Sequence, residues 1–295
     1  MNYVPAKTII TKTKSPESWF GHDYNMNIYR GCCHGCIYCD SRSKCYGVDH
    51  FDEVRVKEDA IDIINRELKS KKRTGVIGTG AMSDPYNPYE KELALTRKAL
   101  KLINAYGFGV AIATKSDLIT RDIDLLKEIN HHSPVCIKMT ITTFADDLCK
   151  IIEPNVASAS ERFEALAKIS DNGLFCGVLL MPVLPFINDS EQNITSIIKA
   201  AAQAGARFVY PWLGVTLRQN QRDYFYKQLD KHFPGVRLKY QKTFGERYVC
   251  SINESKNQYQ RIFKLCESYG MLYKMSDIIA SYKVQKNYEQ MSFFN

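Results

Sequence analysis

The chain has 295 residues, 45% of them apolar and 24% charged, with 40 basic against 32 acidic residues and a net charge of +8. That length suits one sizeable α/β domain, and the composition is ordinary for a globular protein. It excludes a membrane span, because the longest apolar run, around residues 174–187, contains two prolines and a glycine. The segment Met1–Lys14 is polar and β-branched with no apolar leader-like stretch, so a cytoplasmic location is expected. The positive excess is compatible with an anionic partner such as nucleic acid, but it is modest.

In chain order, one theme repeats: a short β-branched run, turn residues, then an amphipathic helix. A first strand is expected near Met26–Arg30 and a helix over Lys57–Lys71, with Ala60, Ile61, Ile63, Ile64 and Leu68 on its apolar face. Strand Thr74–Gly80, the loop Asp84–Pro88 and helix Glu90–Tyr106 follow, the helix closed by Gly107. Four more pairs come next: Gly109–Thr114 with Asp122–Asn130, Val135–Thr142 with Ser160–Asp171, Leu174–Met181 with Ser190–Ala204, and Arg207–Leu213 with Gln219–His232. Strands alternating with helices predict βαβ units and a parallel sheet. Six strands are too few for a full barrel and predict a partial (β/α)6 TIM-like barrel, with reactive groups at the C-terminal strand ends.

From about Leu238 the pattern changes. Tyr240, Phe244, Tyr248, Tyr259, Phe263, Tyr269, Tyr273, Tyr282, Tyr288, Phe293 and Phe294 crowd a segment with one expected helix, Ser255–Tyr269. The expected organisation is an N-terminal extension (1–24), a barrel core (25–237) and a C-terminal segment (238–295) that packs on the core and closes its open side.

Four of the ten cysteines fall between Cys32 and Cys39, and the remaining six are scattered. In a chain of this size without a secretory leader, such clustering points to metal rather than disulfides. Three thiolates in one short loop can converge on an iron–sulfur cubane and leave one iron without a protein ligand. A zinc site normally asks for four closed ligands, commonly from two CxxC knuckles, and there is no second knuckle. Spacing alone leaves two registers open: Cys32, Cys36 and Cys39, or Cys33, Cys36 and Cys39.

The CxxxCxxC loop with Tyr38 before its last cysteine resembles the signature of the radical S-adenosylmethionine (SAM) superfamily. Further stretches are similar, in order, to the branch containing spore photoproduct lyase: Asn27–Cys32, Ser83-Asp84-Pro85-Tyr86 with Glu90, Thr114-Lys115-Ser116, Arg121–Leu126, Thr140–Thr143, Glu153-Pro154 with Arg162, and Pro182–Pro185 with Asn188-Asp189. The resemblance implies that Cys32, Cys36 and Cys39 hold a [4Fe–4S] cluster, with SAM on the fourth iron and Cys33 spare. It places Tyr38 near the adenine, Ser83 and Asp84 at SAM's amino and ribose groups, and Lys115 and Ser116 at its carboxylate. Thr140 and Thr142 share one strand face, expected to be the barrel interior. Arg162, at a helix start where a cation is slightly unfavourable, is expected to bind the cofactor or an acid.

The implied activity is reductive cleavage of SAM and hydrogen abstraction from a substrate, fed by a reductant such as flavodoxin or ferredoxin. A nucleic-acid lesion is the first substrate class; a peptide or small molecule is the alternative, and an electron carrier without turnover is a reading of another kind. The sequence departs from the lyase itself, because Asp40-Ser41 follow Cys39 and no cysteine ends the second strand. Cys250 and Tyr248, in the closing segment, are candidates to quench or relay a radical.

Overall fold

A computed structural model describes residues 2–283; Tyr288, Phe293 and Phe294 lie outside the described residues. The strands are β1 (Asn2–Val4), β2 (Ile10–Lys12), β3 (Tyr24–Met26), β4 (Tyr29–Arg30), β5 (Arg55–Lys57), β6 (Val76–Thr79), β7 (Gly109–Thr114), β8 (Val135–Thr140), β9 (Cys176–Leu180), β10 (Phe208–Pro211), β11 (Gly214–Thr216) and β12 (Val249–Ser251). The main sheet has seven strands in the order β10-β9-β8-β7-β6-β3-β2. From β3 to β10 every neighbour is parallel, and β2 runs antiparallel on β3. Six parallel strands with helical crossovers make the partial barrel that the alternation predicts. Its central strands are apolar on both faces because helices cover one side and the lumen the other; every residue of β8 is buried.

Three details differ from expectation. The first strand is Tyr24–Met26; Tyr29 and Arg30 leave the barrel and pair antiparallel with Val56 and Arg55 in a separate small sheet. The helix expected over Glu90–Tyr106 is two, Glu90–Leu93 and Leu95–Ala105. The break falls at Ala94 (φ 48°), because the Glu90 carboxylate turns back to accept the Thr96 amide at 3.0 Å and caps the second helix. Among the described residues beyond 235 there are three helices rather than one, Val236–Phe244, Ser255–Ser268 and Met275–Tyr282. The expected boundary between 237 and 238 falls inside the first of them.

The open side of the barrel is closed from both ends of the chain. Phe20, from the first 24 residues, packs with Val76, Ala111, Cys136, Leu179 and Phe208 of the strands and with Ile278 and Tyr282 of the last helix. The Tyr282 hydroxyl donates to the Phe20 carbonyl, and the Phe20 amide donates to Met275 Sδ at 3.0 Å. Leu272 adds an isolated parallel bridge to Phe208, so the tail extends the sheet past β10. Burying rings of this size is worth roughly 1.5–3 kcal/mol each. Among the described residues, no helix is long and apolar enough to cross a membrane.

Candidate functional site

The cysteine loop sits over the C-terminal ends of β6, β7 and β8. It opens at Gly31, whose φ of +81° few side chains tolerate; a Cβ there would also meet the Phe51 and Glu53 carbonyls at 2.7 Å. The Cys32 amide donates to Phe51 O, Ile37 to Ile152 O, and Asn155 to His34 O. Two segments, at Phe51 and at 152–155, thus hold the loop.

The thiols divide into two groups. Burial raises Cys32, to about 12, and Cys36 and Cys39 as well. After burial, charge links these three: Cys39 acts on Cys32 and Cys36, Cys32 acts on Cys36, and Lys115 opposes the rise at Cys36 and Cys39. Cys33 is raised by burial too, with Asp52 and Asp84 adding to the rise; Asp84 acts on Cys32 as well. It lines an outer cleft with Asp52, Lys150 and Pro154. Among the described residues no His, Cys, Asp or Glu group is set for a single metal ion. Cubane thiolates each meet a different iron and stand further apart than ligands of one ion.

Asp84 joins the strand ends to the loop. Its carboxylate accepts from the Tyr86 amide (2.9 Å), the Thr114 hydroxyl (2.7 Å) and the Lys115 amide (2.8 Å), and lies 3.6 Å from His34 Nδ1. Ser83 donates to the Gly31 carbonyl at 2.6 Å, and Ser116 Oγ accepts the Leu118 amide at 3.3 Å as the cap of a short 3-10 helix. In this geometry Ser83 and Asp84 brace the loop and Ser116 caps a turn.

Among the described residues no carboxylate pairs with the Lys115 amine, which lies 5.8 Å over the Tyr38 ring. Burial would lower its pKa, but Cys36, Glu153, Asp84 and Cys39 outweigh burial and hold it up, so the amine is a cation.

Arg162 binds an acid, the second of its two expected roles. It is fully buried, and its guanidinium is used within the protein: 2.8 Å to Ala157 O, 2.7 Å to Thr140 O, 2.8 Å to Cys149 Sγ and 2.6 Å to Glu153. Glu153 also accepts the Tyr38 hydroxyl. Burial would raise the Glu153 carboxyl, but Arg162 and Lys115 prevail and hold it below its usual value. A buried guanidinium needs a buried acid, and Glu153, nine residues earlier, supplies it.

Thr140 lines a lumen cavity, and Thr142 Oγ1 is buried without a hydrogen-bond partner. Cys250 and Tyr248 do not line that cavity. Cys250 is fully buried in the β11–β12 pair among Tyr226, Tyr240 and Phe244, whereas Tyr248 is 44% exposed with its hydroxyl against Arg218. Sequence reasoning passed over Lys138 and His22, which do line it; the available signal was a lysine inside an otherwise apolar strand.

Barrel, loop and strand-end cation together define a cofactor-dependent α/β enzyme type. Residues 26–196 match the Radical SAM superfamily, and the chain belongs to it. An uncharacterized protein of Methanocaldococcus jannaschii is 37% identical over 194 residues, 65% of this chain and 70% of that one. An uncharacterized protein of Mycobacterium tuberculosis is 28% identical over 228 residues, 75% of this chain and 67% of that one. Among solved structures, spore photoproduct lyase complexed with dinucleoside spore photoproduct superposes with a TM-score of 0.65 at 16% identity, over 90% of this chain and 78% of that one. A lyase variant with bound AdoMet and the dinucleoside gives 0.62 at 16% identity, over 86% and 77%. These structures show a shared fold. The family's cofactors, a [4Fe–4S] cluster and SAM, are those of this chain. The residues fit them: three thiols in one short loop, Cys32 and Cys36 buried, with the Lys115 amine over the Tyr38 ring of the same loop.

Proposed function

We propose that the chain reductively cleaves SAM at a cluster held by Cys32, Cys36 and Cys39, and directs the resulting radical at a substrate in the barrel lumen. The observation that carries this reading is the burial of Cys32 and Cys36 in a loop whose Tyr38 ring lies 5.8 Å from the Lys115 amine, with Cys33 lining an outer cleft instead. When bound, the cofactors supply one-electron cleavage of the sulfonium and a 5′-deoxyadenosyl radical. Lys115 binds the SAM carboxylate as a charge-assisted partner. Tyr38, its hydroxyl held by Glu153, offers a ring edge to the adenine. Ser83 and Asp84 position the cysteine loop and the Lys115 backbone, and the Thr142 hydroxyl is left to bond a ligand. The plugged lumen and the closing tail exclude water from the radical's path.

A one-electron donor of the flavodoxin or ferredoxin kind supplies the electron. A nucleic-acid lesion is the substrate class that the net charge of +8 and the likeness to the lyase fold support. The lyase reaction itself is not carried over, because Gly80-Ala81-Met82 ends the second expected strand without a cysteine. Anaerobic reduction of the cluster-loaded protein with dithionite in the presence of SAM should yield 5′-deoxyadenosine and methionine. Intact SAM would leave the electron-carrier reading in place of the enzyme.

A further inference from the structure

Around Lys138 and Thr140 the lumen holds a cavity of about 220 Å³, lined by Trp19, His22, Gly78, Ala113, Lys138 and Thr140 among others. Its walls are small by construction: any side chain at Gly78 would press on the His22 ring, whose atoms begin 2.6 Å from the Cβ position. Lys138 extends into it from β8 and is 1% exposed. Among the described residues its amine meets no carboxylate; its contact is the face of Phe20, 4.8 Å to the ring centroid. The nearby acid Asp23 is engaged elsewhere, accepting the Val76 amide at 2.8 Å and lying 3.6 Å from Lys283 Nζ. Beside Lys138, Nδ1 of His22 is buried without a hydrogen-bond partner.

An unpaired buried ammonium is costly, and proteins retain one where a ligand completes it. Burial pushes the Lys138 amine down to about 8, with Cys136 opposing weakly. Burial first, and Lys138 second, lower His22, which leaves the imidazole neutral and able to donate or accept. The two groups line one cavity, Lys138 from β8, whose last residue is Thr140.

We infer that this cavity is the substrate subsite, and that the substrate places an oxyanion, phosphate or carboxylate, against Lys138 and His22. The inference rests on the proposed radical chemistry for calling the ligand a substrate, but anion binding needs no SAM cleavage, so the two fail separately. A chain that cleaves SAM and ignores anions loses only the subsite.

The test is thermal unfolding of the protein as purified and after cluster loading, in inorganic phosphate, in acetate, and in chloride at matched ionic strength. Phosphate or acetate should raise the wild-type melting temperature by at least about 2 °C over chloride. The increment should vanish in Lys138→Met and persist in part in Lys138→Arg. A response to phosphate alone assigns a phosphoryl-bearing substrate; a response to acetate alone assigns a carboxylate. An equal increment in Lys138→Met, or none in wild type, overturns the subsite. Carbamylation of Lys138 by cyanate, followed by mass spectrometry, needs no variant: the effective anion should slow it at least about fivefold. An unchanged rate overturns the inference as well.

Discussion

Glu153 and Arg162 meet at 2.6 Å with both side chains 1% exposed. The pair ties the Tyr38 hydroxyl of the cysteine loop to the Thr140 carbonyl at the end of β8. One ion pair therefore positions the aromatic beside the last cysteine relative to the strand that carries Lys138.

Removing one partner strands a charge in the interior. Arg162→Met should cost about 3–5 kcal/mol by chemical denaturation. The double variant Glu153→Leu with Arg162→Met should recover much of that loss. If the single variant costs under about 1 kcal/mol, the pair does not organise the site as described.

The same pair sets an acid sensitivity. Because the folded-state pKa of Glu153 is lowered from 4.5, its contribution to stability is complete above that value and drains away as pH falls through the lowered one. Unfolding free energy should therefore fall more steeply below about pH 4.5 in wild type than in Glu153→Gln. Parallel pH profiles would remove Glu153 from the balance.

Cluster assembly should separate the four clustered cysteines. Cys32→Ala, Cys36→Ala and Cys39→Ala should each lose iron, sulfide and visible absorbance after anaerobic reconstitution, while Cys33→Ala keeps them. Retention in Cys32→Ala with loss in Cys33→Ala would reverse the register.

Lys115→Met should spare cluster content and weaken SAM binding about 10- to 100-fold, the loss expected for one charge-assisted hydrogen bond. Equilibrium binding of SAM to the reconstituted variant reads it directly. Unchanged affinity would place the SAM carboxylate elsewhere.

Phe20→Ala should cost about 3–5 kcal/mol by thermal or chemical unfolding, because the ring is fully buried between strands and the last helix. A small cost would mean that the lumen collapses easily behind the ring.

The barrel was legible because hydrophobic periodicity is a local property: the run Gly109–Thr114 predicts strand β7 to the residue. Where a side chain overrode that pattern, as Glu90 does in splitting its helix, the expectation missed the break. The cysteine window was legible for the same reason, since its thiols are neighbours in the chain.

What the sequence by itself determined is the alternation of strands and helices, the clustered thiols and the aromatic character of the tail. Tertiary structure alone decided that Cys33 lines an outer cleft, that Arg162 meets Glu153, that Phe20 packs across the barrel to Tyr282, and that Lys138 stands in the lumen without a counter-charge among the described residues. Strand and helix follow from backbone geometry and the spacing of apolar residues within a few positions. Charge pairing depends on which distant segments meet: Tyr38 and Glu153 are 115 residues apart, and Phe20 and Tyr282 are 262.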